Sequence, residues 1–328
     1  MPLTGFIDSF DQFGIHGWLH HARHQNLVPF VEIVVNRRLA ATVRSGLFRQ
    51  DLLEAGYGEG MRSFWFNPFE SLLPGPNTVE VFAAGTDQLL PGGQQILYPD
   101  LTRDRSNFAD SEERAKSRWK QDEEDLSLTW GNVMTGDSFF DQVDRYFPFH
   151  ADVKIYEIGP GYGRLLKTIL QRQYAYKEYF GLDLSQARVT RLTSAFGNSR
   201  TRFQAGACDV TVPPERFNLV ISSATFEHLF PSMAATLERI YAAMLPGGMA
   251  FLDFICHDPE LAISRAYFEE FGGKAYIRIY SQEEIRAFFL NAGFEMVDLV
   301  YPMVTGLDVG QNEIKRALAI VRKPQGAV

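Results

Sequence analysis

The spacing of apolar positions changes once along the chain. From Phe6 to about Ile96, short alternating or β-branched runs (PFVEIVVN, LAATVRS, SFWFNPF, NTVEVFAA) are separated by Gly, Pro and Asn roughly every ten residues, the spacing of an all-β sandwich. Asn36 and Gly75 stand where turns need tolerant backbone angles. Between Tyr98 and Leu126 both signs of charge crowd together with Phe108 and Trp119 as the only aromatics, which predicts a solvated helical bridge. Beyond it the pattern alternates strand and helix: KIYEIG, RLLKTILQRQ, YFGLDL, SQARVTRLTSAFG, TRFQAG, FNLVISS, MAATLERIYAAML, MAFLDFI. That order is the mark of a parallel sheet with crossover helices. Two more strands, FEMVDLVYP and KRALAIVRK, follow a helix at EEIRAFFLNAG. The expected organisation is therefore a β-sandwich at 1–98, a charged bridge at 99–127 and an α/β domain at 128–328.

Composition adds limits. The 328 residues carry 32 Lys+Arg and 40 Asp+Glu, a formal charge of −8 spread as −3, −3 and −2 over those three segments. No global positive field exists for a phosphate backbone, so a nucleic-acid partner is not expected. The near-neutral third segment suits an uncharged acceptor such as a sugar and does not exclude a phosphorylated one. Two distant cysteines, Cys208 and Cys256, do not make a disulfide framework and fit a reducing, cytoplasmic setting. The N-terminal MPLTGFIDSF lacks a secretion-signal pattern, and no run of about 18 apolar residues occurs, so no membrane span is expected.

The strongest chemical signal is Tyr156-Glu157-Ile158-Gly159-Pro160-Gly161-Tyr162-Gly163, which joins an apolar strand to an apolar-periodic helix. Glycines let the backbone turn tightly and approach a ligand closely. Asp183 ends the next strand twenty residues after Gly163, where a carboxylate takes ribose hydroxyls. Glu157, ahead of the glycines, repels phosphate and suits an ammonium group. A ligand with an amino-acid end and a ribose end satisfies both acids, which disfavours a nicotinamide dinucleotide.

EIGPGYGRLL, GLDLS, FNLVISSATFEHL and LPGGMAFLDF together resemble the ordered motifs of class I S-adenosylmethionine-dependent methyltransferases, over roughly Lys154 to Lys323. The resemblance implies a Rossmann-like seven-stranded sheet whose last strand, KRALAIVRK, is antiparallel. It implies that S-adenosylmethionine is the cofactor and S-adenosylhomocysteine the product, with Glu157, Gly159, Gly161 and Gly163 lining the methionine end. Asp183 would hold the ribose and Leu184 the adenine, with Cys208 and Ser222 in the same wall. Where the family usually reads Gly-Asp-Ala, this chain reads Gly206-Ala207-Cys208-Asp209, so Asp209 would serve from two residues later.

For the acceptor, His228 follows the fourth strand of the α/β domain and has the side chain whose ordinary pKa suits a general base near neutrality. Similar enzymes place a Glu-His pair in the active site, which implies that Glu227 orients His228 or contacts the acceptor. His257 is the reserve base. Asp253, His257, Asp258 and Glu260 have the side chains of a hard-metal or second-base cluster, but strand-ending acids commonly serve loops, so a divalent metal is not favoured. Tyr276, Arg278 and Tyr280 alternate on one strand face and are candidates for contact with a sugar or another polar ring. TWGNVMTGDSFFDQV, helical from Ser138 onward, offers Trp130, Thr135 and Gly136 as lid residues. His16, His20, His21 and His24 lie three or four apart, but Gly14, Gly17 and the strand-like text argue against a helical metal site.

The N-terminal text (GIHGWLHHARHQ, VEIVVNRRLAATVRS, FRQDLLEAGYGEG) resembles a β-sandwich module found beside enzymes of bacterial polysaccharide pathways. That implies a carbohydrate setting, with the module as an accessory that holds a glycan or a partner enzyme. The expectation is methyl transfer to a hydroxyl of a glycan or small molecule; an amine acceptor and a non-catalytic scaffold that keeps cofactor binding are the alternatives.

Overall fold

The computed structural model describes residues 3–11, 14–24, 27–68, 71–73, 75–98, 111–120, 133–230, 232–257, 265–269, 275–307 and 313–326. Its contacts divide into two units, residues 1–109 with 283–291, and 110–282 with 292–328.

Among the described residues the first unit holds eight strands: β1 (Leu3–Phe10), β2 (Ile15–His21), β3 (Phe30–Val35), β4 (Arg38–Arg44), β5 (Leu47–Phe48), β6 (Met61–Phe66), β7 (Asn77–Ala83) and β8 (Leu89–Leu97). They form two four-stranded sheets, in the orders β1-β2-β6-β5 and β4-β3-β7-β8. Strict alternation explains the packing, since Val31, Ile33, Val35, Val79, Val81 and Ala83 all point inward to meet Ile7, Ile15, Leu19 and Phe64. Asn36 takes φ +50° in the turn between β3 and β4. Helix α1 (Gln50–Glu54) lies between β5 and β6. Trp65 is buried and meets Phe288, while half-buried Trp18 packs on Tyr57 with ring centroids 4.7 Å apart. The four histidines do not form one cluster: His20 is buried beside Arg62, His16 faces Trp65, and only His21 and His24 meet, ring centroids 4.7 Å apart, at the turn after β2.

The second unit contains α2 (Ser111–Lys120), α3 (Gly136–Val143), β9 (Lys154–Ile158), α4 (Arg164–Gln171), β10 (Glu178–Asp183), α5 (Gln186–Phe196), β11 (Thr201–Ala205), β12 (Phe217–Ser222), α6 (Ala234–Ala243), β13 (Met244–His257), β14 (Arg265–Glu269), β15 (Ala275–Ile279), and, after helix α7 (Gln282–Asn291), β16 (Glu295–Leu307) and β17 (Glu313–Arg322). Its seven-stranded sheet runs β11-β10-β9-β12-β13-β17-β16. The first five strands are parallel, and β17 enters antiparallel between β13 and β16. Leu165, Leu166 and Ile169, one face of α4, join Phe139, Phe140 and Val143 of α3 over Ile155, Leu219, Ile221 and Phe251 of the sheet. α3 begins at Gly136, two residues earlier than its pattern predicts, because Thr135 Oγ1 accepts the Ser138 N–H and caps it. Among the described residues no helix is long and apolar enough to cross a membrane.

Candidate active site

A pocket opens at the carboxyl ends of β9, β10 and β12, where a reversal of strand order leaves a crevice in open α/β sheets. The loop after β9 forms its floor. Gly159 takes φ +67° and Gly161 φ +56°, both in the left-handed region that glycine enters cheaply. A Cβ on Gly159 would fall 2.2 Å from Thr225 Oγ1, while one on Gly161 would meet nothing within 4 Å. Gly163 follows and caps α4.

Two carboxylates flank this floor. Asp183 is buried, and its two oxygens accept the N–H groups of Gly161 at 3.0 Å and Ser185 at 2.9 Å. Each oxygen retains a lone pair for a ligand hydroxyl. Burial raises its pKa despite the nearby Arg188 charge. Glu157 accepts the Tyr179 hydroxyl, and burial pushes its carboxyl up to about 7, only partly offset by that bond and by Arg164. An incoming ammonium would supply the charge that this site lacks. Leu184 and Cys208 also line the pocket; burial pushes the Cys208 thiol up to about 11.

The opposite wall contains His228, Leu229, Phe230 and, from α2, Ala115, Lys116 and Trp119. His228 closes a single 3-10 turn, Phe226–His228, and its ring lies 4.2 Å from that of Trp119. Lys116 pairs with Asp209 at 2.7 Å. The expected solvated bridge is thus corrected over 111–120: α2 buries Ala115 and forms part of the pocket wall, because its few apolar side chains face one way. Asp209 lines the pocket as a partner of Lys116.

Several expected site residues fall elsewhere. Ser222 is fully buried and donates to the Ile158 carbonyl at 2.8 Å, bracing β12 to β9; Ser223, one residue on, faces the pocket instead. Glu227 is buried and held by Arg316 at 2.5 Å, with the His228 charge also acting on it, and it does not line the pocket. Asp253 is no free ligand or base, being fully buried and bonded to Ser223, Ala224 and Arg316. Arg278 and Tyr280 belong to the core, 3% and 0% exposed, with the guanidinium over the Tyr280 ring and that ring against Phe254. The side chains of Tyr276 and His257 lie outside the described residues, as do Trp130, Asp258 and Glu260. Thr135 and Gly136 serve the start of α3, Gly136 packing against Thr168 of α4; among the described residues of that segment, Val133 reaches the pocket. Among the described residues no group of three or more metal-ligating side chains occurs.

Sequence reasoning missed Arg164, Tyr179, Ser223, Thr225 and Trp119. Arg164 donates to the Met134 carbonyl and, at 2.8 Å, to Ser223 Oγ, tying the glycine loop to both neighbouring segments. Its place directly after the last glycine was the available signal.

A profile of methyltransferase domains matches residues 130–299. The chain therefore belongs to the methyltransferase-domain family, and S-adenosylmethionine is the cofactor whose ammonium, ribose and adenine the pocket's acids and apolar wall suit. Among solved structures it is similar to a putative S-adenosylmethionine-dependent methyltransferase from Listeria monocytogenes, at 13% identity over 58% of this chain and 99% of that one, TM-score 0.45. It is also similar to the Burkholderia thailandensis 1,6-didemethyltoxoflavin N1-methyltransferase, at 18% identity over 67% and 87%, TM-score 0.45. A third, StiE O-MT, shares 13% identity over 58% and 75%, TM-score 0.43. No curated protein matches the chain.

Proposed function

We propose that the protein transfers a methyl group from S-adenosylmethionine to a hydroxyl of an uncharged small molecule or glycan, with His228 as the general base. The observation that carries this reading is that His228 lines the same pocket as the glycine loop and Asp183. The bound cofactor supplies an electrophilic methyl group for in-line displacement. A hydroxyl attacks efficiently only if its proton leaves in the same step, and a neutral imidazole accepts that proton near neutral pH. The apolar wall of Trp119, Leu229 and Phe230 excludes water and aligns the acceptor.

A sugar acceptor is favoured by the near-neutral charge of residues 128–328 and by the resemblance of segment 1–98, read as an accessory module joined through 99–127, to a polysaccharide-pathway module. Labelled S-adenosylmethionine offered to bacterial glycan extracts, with and without chelator, tests the acceptor class and metal dependence. With an acceptor in hand, His228→Ala should cut kcat by about 100-fold to 10,000-fold while S-adenosylhomocysteine affinity stays within about twofold. Unchanged turnover and an unchanged pH profile would point to an amine acceptor, for which alignment suffices.

A further inference from the structure

Behind the pocket lies a buried ionic cluster that the transfer chemistry does not touch. Arg316, in β17, is 2% exposed and donates through Nη1 to Asp253 Oδ1 at 2.8 Å and through Nη2 to Glu227 Oε1 at 2.5 Å. Asp253 also accepts Ser223 Oγ and the Ala224 N–H, each at 2.6 Å. One guanidinium therefore reaches both ends of the turn from Ser223 to His228, its entry through Asp253 and its 3-10 segment through Glu227. The turn needs such a hold. Ala224 takes φ +60°, a left-handed state that costs a residue with a Cβ about 1 kcal/mol or more.

Stability does not account for the cluster, since a buried ion pair is often no better than apolar packing of equal volume. What it supplies is direction: a planar two-pronged donor fixes two carboxylates at once. Burial raises the Glu227 carboxyl, but the Arg316 and His228 charges together with the Arg316 hydrogen bond more than offset it and hold the group below its usual range.

We propose that Arg316 is a positioning residue for methyl transfer, fixing the Ser223–His228 turn through Asp253 and Glu227 so that the His228 imidazole stays against Trp119 in the pocket wall. The role rests on the reading of His228 as the base. Arg316→Lys keeps the charge but reaches one carboxylate at a time; Glu227→Gln leaves Arg316 and Asp253 together while weakening the second prong. The His228 ring proton resonance, assigned by its loss in His228→Gln, carries a ring-current displacement that Trp119→Leu removes. Both Arg316→Lys and Glu227→Gln should lose at least half of that displacement, while the Kd for S-adenosylhomocysteine by calorimetry moves less than about threefold.

An undisplaced His228 resonance in both folded variants would overturn the proposal. So would a Kd weakened about tenfold or more in step with the resonance, or failure of both variants to fold, since each marks a residue of general structural use. No acceptor or turnover is required. If the resonance moves as expected but His228→Ala keeps full turnover, the base assignment fails and the hold on the turn stands.

Discussion

The two ends of the pocket secure their polar groups differently. At the cofactor end, Asp183 is gripped by backbone N–H groups 22 and 2 residues away, and Glu157 by a tyrosine 22 residues away. Every part comes from one β-α-β segment. At the acceptor end, the turn bearing His228 is held by an arginine 89 residues beyond Glu227 and 63 beyond Asp253, and its ring rests on Trp119, from a helix that precedes the sheet. The end read as meeting the methyl donor takes its polar grip from nearby in the chain, although its floor also touches Ser223 and Thr225 of the far turn. The His228 end, proposed as the acceptor side, is assembled from remote pieces, so distant substitutions reach it.

The comparison is open to attack at several points. The largest effect is expected at Gly159. In Gly159→Ala the new Cβ falls 2.2 Å from Thr225 Oγ1 at φ +67°, and S-adenosylhomocysteine affinity by calorimetry should fall at least about 100-fold. A change under about threefold would show that the floor relaxes and the cofactor end is less rigid than its local construction implies.

Glu157 comes next. Its folded carboxyl titrates at about 7 against an ordinary 4.5, so the folded chain binds the proton more tightly than the unfolded one. The stability this contributes is fully present below pH 4.5 and is lost as pH rises through 7, on the order of 3 kcal/mol in total. Glu157→Gln, neutral at every pH, should flatten the fall of Tm across that window. Cofactor binding near pH 6.5 should release a proton from the unaltered protein and none from the variant, measured by calorimetry in buffers of different ionisation heat; equal proton release in the two would refute the pairing of Glu157 with the cofactor's ammonium.

Smaller effects sharpen the acceptor end. Ala224→Gly removes the left-handed strain at the cost of extra chain entropy, for a net gain of about 0.5 kcal/mol in thermal unfolding. Destabilisation instead would mean that Asp253 holds an unstrained turn. Lys116→Ala breaks a pair whose side chains are about one-fifth exposed. It should cost about 0.5 kcal/mol and weaken cofactor binding about twofold, less at high salt.

Legibility in the sequence followed the same division. The strands, the crossover helices, the glycine loop and Asp183 were readable because each depends on neighbours within one turn or one strand. Ser222 was misplaced by one residue, since at the end of a strand successive side chains point to opposite faces and motif order does not say which. Tyr276, Arg278 and Tyr280 show the same limit: alternation identified the strand, but that Arg278 and Tyr280 are covered follows from packing that no local pattern encodes. Arg316 carried a signal, the second of two adjacent cations leading into the apolar run Ala317–Val321 in KRALAIVRK, whose meaning appears only once β17 is known to lie between β13 and β16. Trp119 was a similar hint, one of two aromatics in a charged stretch.

The late position of β17 in the chain also sets an order of assembly. A ribosome that has reached residue 300 has made Glu157, the glycine loop, Asp183 and His228, yet Arg316 does not exist and β13 lacks its antiparallel neighbour. During synthesis the donor end is therefore complete before the turn at His228 is fastened. The last strand must then insert between two others, a non-local step of the kind that folds slowly and leaves strand edges open to wrong pairing. Ligand-competent but acceptor-incompetent chains would be the natural intermediate of such a pathway, and a cofactor that binds early would carry the sheet through it.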